Sequence, residues 1–223
     1  MALPPRELDR DLQPRMRGTL HQYSLGVFVT SCVLLIVLAG SARARLAMSV
    51  YAVGLTGCLT ASAVYHRGHW SPRTKAWLGR IDHSAIFLLI AGSYTPMCLL
   101  VLTGPLAMGL LIGVWCGALA GIGLTLAWWS PPAWAEVMPY LALGWAAIIA
   151  IPAINAAIGW GAVLLMVSGG LLYSAGAIVY GRRRPNPFPS VFGYHEIFHA
   201  CTVLAAAAHA VLLYVWVLPR TRG

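Results

Sequence analysis

Leu106-Ala-Met-Gly-Leu-Leu-Ile-Gly-Val-Trp-Cys-Gly-Ala-Leu-Ala-Gly-Ile-Gly-Leu-Thr-Leu-Ala-Trp128 contains no charged residue. About 20 apolar residues in a helix cross the hydrocarbon layer of a bilayer, so this stretch predicts a membrane span. Six further runs read the same way, at 22–40, 46–66, 81–102, 134–154, 158–180 and 194–218. Composition agrees. Of the 223 residues, 59% are hydrophobic and 9% are charged, where a soluble domain carries about 25% charged residues. That excludes an ordinary soluble domain, because so much apolar surface has no soluble core to enter. The expected fold is an all-α membrane protein, a seven-transmembrane helix bundle, with a tail over 1–20 and a membrane domain over 21–219.

The net charge of +9 raises the question of nucleic acid. The basic residues gather between apolar runs, however, and no aromatic-interleaved basic patch is present to read bases. Membrane orientation and anionic lipid account for them. Arg6, Arg10, Arg15, Arg17, Arg67, Arg73, Lys75, Arg80, Arg182, Arg183 and Arg184 fall on one side of the span map, and Arg43, Arg45, Arg220 and Arg222 on the other. The positive-inside rule then puts the N-terminus in the cytoplasm and the C-terminus outside. The five cysteines form no CxxC and all lie in apolar runs, so they read as small buried residues. Pro96 and Pro152 predict kinks inside spans.

This orientation brings distant polar residues to one depth. The second span ends near His66, the third begins near Asp82, and the seventh begins near His195. Ser62, His66, Asp82, His195 and His199 therefore all fall in the cytoplasmic half of the bilayer. Ionisable groups are costly there and mark functional sites. His195 and His199 are four residues apart, on one helix face, where two imidazoles can share one metal ion. His195-Glu-Ile-Phe-His199 also matches HExxH, in which Glu is a general base. Yet no Asp or Glu follows Glu196, so a third ligand has to come from upstream. His66 is the best placed. Three histidines leave a fourth position open, as in catalytic zinc sites; imidazole favours zinc over magnesium or calcium, while iron, copper, nickel and cobalt also suit it. Asp82 is the candidate proton acceptor, and Ser62, one turn deeper than His66, the candidate partner of a reacting oxygen.

Plainer readings stand beside these. Ser62 can bond an earlier carbonyl of its own helix, Asp82 can cap the third span, and the three histidines can be interfacial anchors. Glu196 is expected to point away from the two histidines into hydrated surroundings. His21, His69 and His83 are expected near water as anchors or caps, and His209, deeper in the seventh span, as a packed side chain or else as part of the lining of an inner cavity.

At these residues the chain resembles the hemolysin III family, the bacterial branch of the adiponectin and progestin receptor family. The resemblance rests on Arg17-Gly-Thr-Leu-His21, Ser62-Ala-Val-Tyr-His66, Asp82 through Pro96, Leu143-Gly-Trp145 and Gly193-Tyr-His-Glu-Ile-Phe-His199, in that order over nearly the whole chain. It implies a seven-helix bundle with zinc near the cytoplasmic face, held by His66, His195 and His199, with Asp82 and Ser62 beside it. The wider superfamily, which includes alkaline ceramidases, suggests hydrolysis of lipid amides.

Three functions are consistent with these residues. The first is a zinc-dependent hydrolase of lipid amides or esters, with membrane lipids as its partners. The second is a non-enzymatic lipid sensor or membrane-homeostasis protein. The third, with least support, is a hemolysin-like pore or a transporter, since the polar residues gather on one side of the bilayer.

Overall fold

A computed structural model describes residues 14–128 and 132–222. Among them, seven helices are long and apolar enough to cross a membrane. We label the helices α1 (Thr19–Leu38), α2 (Ala42–Arg67), α3 (Pro72–Leu100), α4 (Gly104–Ala127), α5 (Ala133–Trp145), α6 (Ile151–Ile158), α7 (Trp160–Arg182) and α8 (Tyr194–Leu212). A 3-10 stretch at Ala146–Ala150 joins α5 to α6, and the three pieces make the fifth span. Past α8 the last span continues through a π turn at Leu213–Val217 and a 3-10 turn at Leu218–Thr221. The seven-span all-helical fold is the expected one, and seven crossings put the two ends on opposite faces. Of the expected tail, residues 1–13 lie outside the described residues.

One boundary differs. Hydropathy starts the third span at 81, but α3 starts at Pro72. The added turns carry Arg73, Lys75 and Arg80, which an apolar scan rejects. Local chemistry explains the true start: Ser71 Oγ accepts from Thr74 N at 3.3 Å, and Pro72 occupies the first helical turn, where its missing N–H costs nothing.

The fifth span departs from regular helix inside the membrane, where freed backbone groups need partners. Tyr94 supplies them. Its hydroxyl lies 2.6 Å from the Gly144 carbonyl and 3.0 Å from that of Leu143, and it accepts from Ala147 N at 2.7 Å. The Leu143-Gly-Trp145 motif is therefore the point where α5 ends. Pro152 sits just past this break, in the first turn of α6; Pro96 lies within a continuous α3.

The most extensive packing joins α2 to α3 and α7 to α8, with α1 laid on α2. Gly54 allows the α2–α3 approach, since a Cβ there would stand 2.6 Å from the Leu88 carbonyl oxygen. Small residues are how membrane helices gain van der Waals contact when lipid offers no hydrophobic drive. The first and last spans are stitched together along their length. Tyr214 donates to Ser31 O at 2.6 Å, Gly40 N donates to Thr221 Oγ1 at 3.0 Å, and Arg222 Nε donates to Leu38 O at 3.0 Å. Cys32, Cys58 and Cys98 are buried as expected, whereas Cys116 is exposed on α4.

Candidate metal centre

The N-terminal-face ends of α2, α3 and α8 meet at the polar residues singled out above. His66 lies in the last turn of α2, and His195 and His199 lie in the first turns of α8. One ring nitrogen from each of the three comes within 4.8 Å of the other two. His66 Nε2 and His195 Nε2 are 3.1 Å apart. Two nitrogens bound tetrahedrally to one ion at about 2.0–2.1 Å stand about 3.4 Å from each other, so the donor set fits a metal. His195 and His199 are buried, and His66 is half-buried.

Asp82 is buried in the third turn of α3, well past the helix start, so it is not the cap that its position at the apolar boundary suggests. Its Oδ2 lies 3.6 Å from His66 Nε2. Ser62, one turn from His66, is also buried, and its hydroxyl has no partner among the described residues. It does not bond an earlier carbonyl as an isolated intramembrane serine does. The His199 Nδ1 is likewise unpaired. Such groups are rarely left unsatisfied in proteins, and here they converge on one place.

Two expectations are overturned. Glu196 is not hydrated: it is 0% exposed, one carboxylate oxygen accepts from Arg17 Nε at 2.6 Å, and the other accepts from Gly193 N at 2.8 Å. Both oxygens are committed, one to an ion pair and one to capping the start of α8. The carboxylate is thus occupied in holding α8 to the N-terminal segment, and the match to HExxH does not carry a general base. Nor is His21 a watery anchor. It is 2% exposed, and its ring stacks on His199 with centroids 3.8 Å apart and planes 10° apart. His69 is exposed, as expected, and His83 is half-buried.

The Arg17–His21 segment therefore reaches the cluster three times. Arg17 pairs with Glu196, Gly18 leaves room for His66, and His21 backs His199. Gly18 has φ 75° and no Cβ, which would stand 2.6 Å from His66 Cβ, so both its conformation and its bareness are used. Just upstream, Arg15 N and Met16 N donate to Ser190 O and Val191 O, at 3.0 and 3.2 Å. Sequence reading missed these contacts because all but that of Gly18 with His66 join residues at opposite ends of the chain.

From this cluster a long cavity runs into the bundle between α2, α3, the fifth span, α7 and α8. His21, Ser62, Asp82, His195 and His199 line one end; Leu102, Leu110, Leu212 and Leu213 line other parts, and most of the wall is apolar. His209 answers to both of its expected readings: it lines this cavity, and its Nε2 lies 3.3 Å from the Met166 carbonyl oxygen.

Fold and site together define a multi-pass membrane protein with a triad of histidines, two of them buried, at one end of an internal apolar cavity. A family model described as "Haemolysin-III related" matches residues 11–210, and the chain belongs to that family. It is 33% identical over 204 residues to the Hemolysin-3 homolog of Bacillus subtilis (strain 168), covering 89% of this chain and 92% of that protein. It is also 33% identical over 180 residues to Hemolysin-3 of Bacillus cereus, covering 81% and 79%. A more distant likeness, 29% over 196 residues, is to the heptahelical transmembrane protein ADIPOR2 of Oryza sativa subsp. japonica, covering 74% and 80%. The seven apolar helices and the bacterial relatives make this a multi-pass protein of the bacterial cell membrane.

Proposed function

We propose that His66, His195 and His199 hold a zinc ion near the cytoplasmic face, and that the centre hydrolyses the amide or ester bond of a membrane lipid. The supporting observation is the convergence of three imidazoles, one carboxylate and one unpaired hydroxyl at the end of an apolar cavity. Zinc favours such imidazole sets. When bound, it supplies Lewis acidity and makes water a nucleophile near neutral pH.

The chain's own groups do the rest. The apolar cavity holds the acyl chain and keeps bulk water from the reacting carbonyl. Asp82, the one carboxylate lining the cavity among the described residues, takes the proton of the attacking water and returns it to the leaving nitrogen or oxygen. Ser62 donates its hydroxyl hydrogen to the carbonyl oxygen as that atom gains charge. Glu196 takes no proton, because Arg17 and Gly193 occupy both its oxygens.

Two linked measurements test this. Elemental mass spectrometry on purified protein is expected to find about one zinc per chain, lost in a variant carrying both His66→Ala and His199→Ala. Metal-loaded protein is then expected to release fatty acid from some member of a panel of lipid amides and esters, with Asp82→Asn keeping the metal and losing turnover. Metal-loaded protein that leaves the whole panel intact overturns the enzyme reading. An Asp82→Asn variant that keeps its full cellular effect moves the weight to a lipid sensor.

A further inference from the structure

About 15 Å along α8 from His199, at 1.5 Å of rise per residue, the cavity wall becomes polar again. His209 lines it there, with the ring of Tyr173 5.8 Å away between centroids. Tyr51, on α2, lines the same cavity at a matching depth: it stands fifteen residues from His66, as His209 stands fourteen from His195, about 22 and 21 Å of helical rise from that pair. Tyr51 is 1% exposed. Neither the Tyr51 hydroxyl nor the Tyr173 hydroxyl has a hydrogen-bond partner among the described residues. The other hydroxyls that line the middle of the cavity are satisfied: Ser93 donates to Leu89 O, Ser174 to Gly170 O, and Tyr94 serves the break between α5 and α6. Away from the histidine cluster, where Ser62 is also unpaired, these two orphaned hydroxyls stand apart from the satisfied ones on the wall that His209 shares.

The imidazole is held deliberately. Its Nε2 faces the Met166 carbonyl, which can only accept, so Nε2 carries the proton and Nδ1 is an acceptor in the neutral ring. A side chain on Gly169 would collide with His209 Nε2, so that glycine keeps the space the ring needs. The node thus offers two hydroxyls that donate or accept and one nitrogen that accepts. A hydroxyl group is the complement of such a set, since it both donates and accepts. An unsubstituted methylene chain satisfies none of it.

We propose that Tyr51, Tyr173 and His209 form a second subsite that recognises a hydroxyl borne on the interior of a lipid chain. This rests on the reading that an acyl chain fills the cavity. It makes the protein selective for mid-chain hydroxylated acyl lipids over plain ones.

The test is a binding series on full-length protein in nanodiscs, with four probes. These are octadecanoic acid and its three derivatives carrying the hydroxyl next to the carboxyl, at mid-chain, or next to the methyl end. The mid-chain derivative is expected to bind about tenfold more tightly than the plain acid, the scale of one added hydrogen bond. In Tyr51→Phe with Tyr173→Phe, which keeps both rings, that advantage is expected to vanish while the plain acid binds as before. If the plain acid binds wild type and the mid-chain derivative binds no better, the subsite is overturned, water being the natural partner of the two hydroxyls, and the chain-binding reading stands. If none of the four binds, both fail together. A preference that survives the double variant also overturns the assignment to these tyrosines.

Discussion

The α2–α3–α8 corner and the wall formed by α4, α5 and α6 are both apolar enough to cross a bilayer, yet they face different surroundings. Of the apolar window in α3, 61% is buried inside the protein, against 17% in the fifth span. The polar chemistry follows burial. Ser62, His66, Asp82, His195 and His199 all sit in the buried corner, while α4 carries no charged or imidazole side chain. The lesson is that hydropathy sees only the solvent a helix can tolerate. What a helix does is set by the polar residues it can afford to bury against its neighbours.

The sharpest way to break the comparison is in the corner itself. Replacing His66 and His199 by Ala is expected to remove bound metal completely, as read by elemental mass spectrometry, while circular dichroism stays helical. Next comes Glu196→Ala, which strands Arg17 and uncaps α8. Arg17 keeps some access to solvent, so the loss is that of charge-assisted hydrogen bonds, about 1.5–3 kcal/mol, and a clear fall in thermal unfolding temperature in detergent is expected. Glu196→Gln, which keeps an acceptor for Gly193 N, should lose less. A third step uses one substitution in two places. Gly54→Ala drives a Cβ toward the Leu88 carbonyl, and overpacking of this kind costs about 1–3 kcal/mol. Gly113→Ala, on α4, meets nothing within 4 Å. It is expected to be neutral or to gain about 0.5 kcal/mol from the loss of glycine's flexibility. Equal effects at Gly54 and Gly113, measured by the same unfolding assay, would erase the distinction between corner and wall.

How far the sequence reached depends on which force set each feature. The spans were legible because lipid imposes a minimum apolar length. The polar start of α3 at Pro72 was not, although Ser71-Pro72 is a helix-start signal that hydropathy cannot weigh. The histidine triad was legible from depth and from the spacing of His195 and His199. Glu196 was misread because its partner, Arg17, lies 179 residues away; its position three residues after Gly193 was the available sign of a capping role. His21 looked hydrated because it stands beside a charged tail, and only the packing of α1 against α8 buries its ring. The deep tyrosines gave no signal, since an apolar-tolerant residue in an apolar run is the commonest observation in such a chain.

The stitching of the first span to the last has a consequence for how the protein is made. A ribosome delivers α1 to the membrane long before α8 exists, so Arg17 and His21 wait without their partners until α8 is made. Ser31 and Leu38 wait likewise for Tyr214 and Arg222. Two of the three imidazoles arrive with the insertion of α8. A nascent chain interrupted before residue 195 carries a single candidate ligand and an open seam, which makes the synthesis of α8 the step that brings the three imidazoles together.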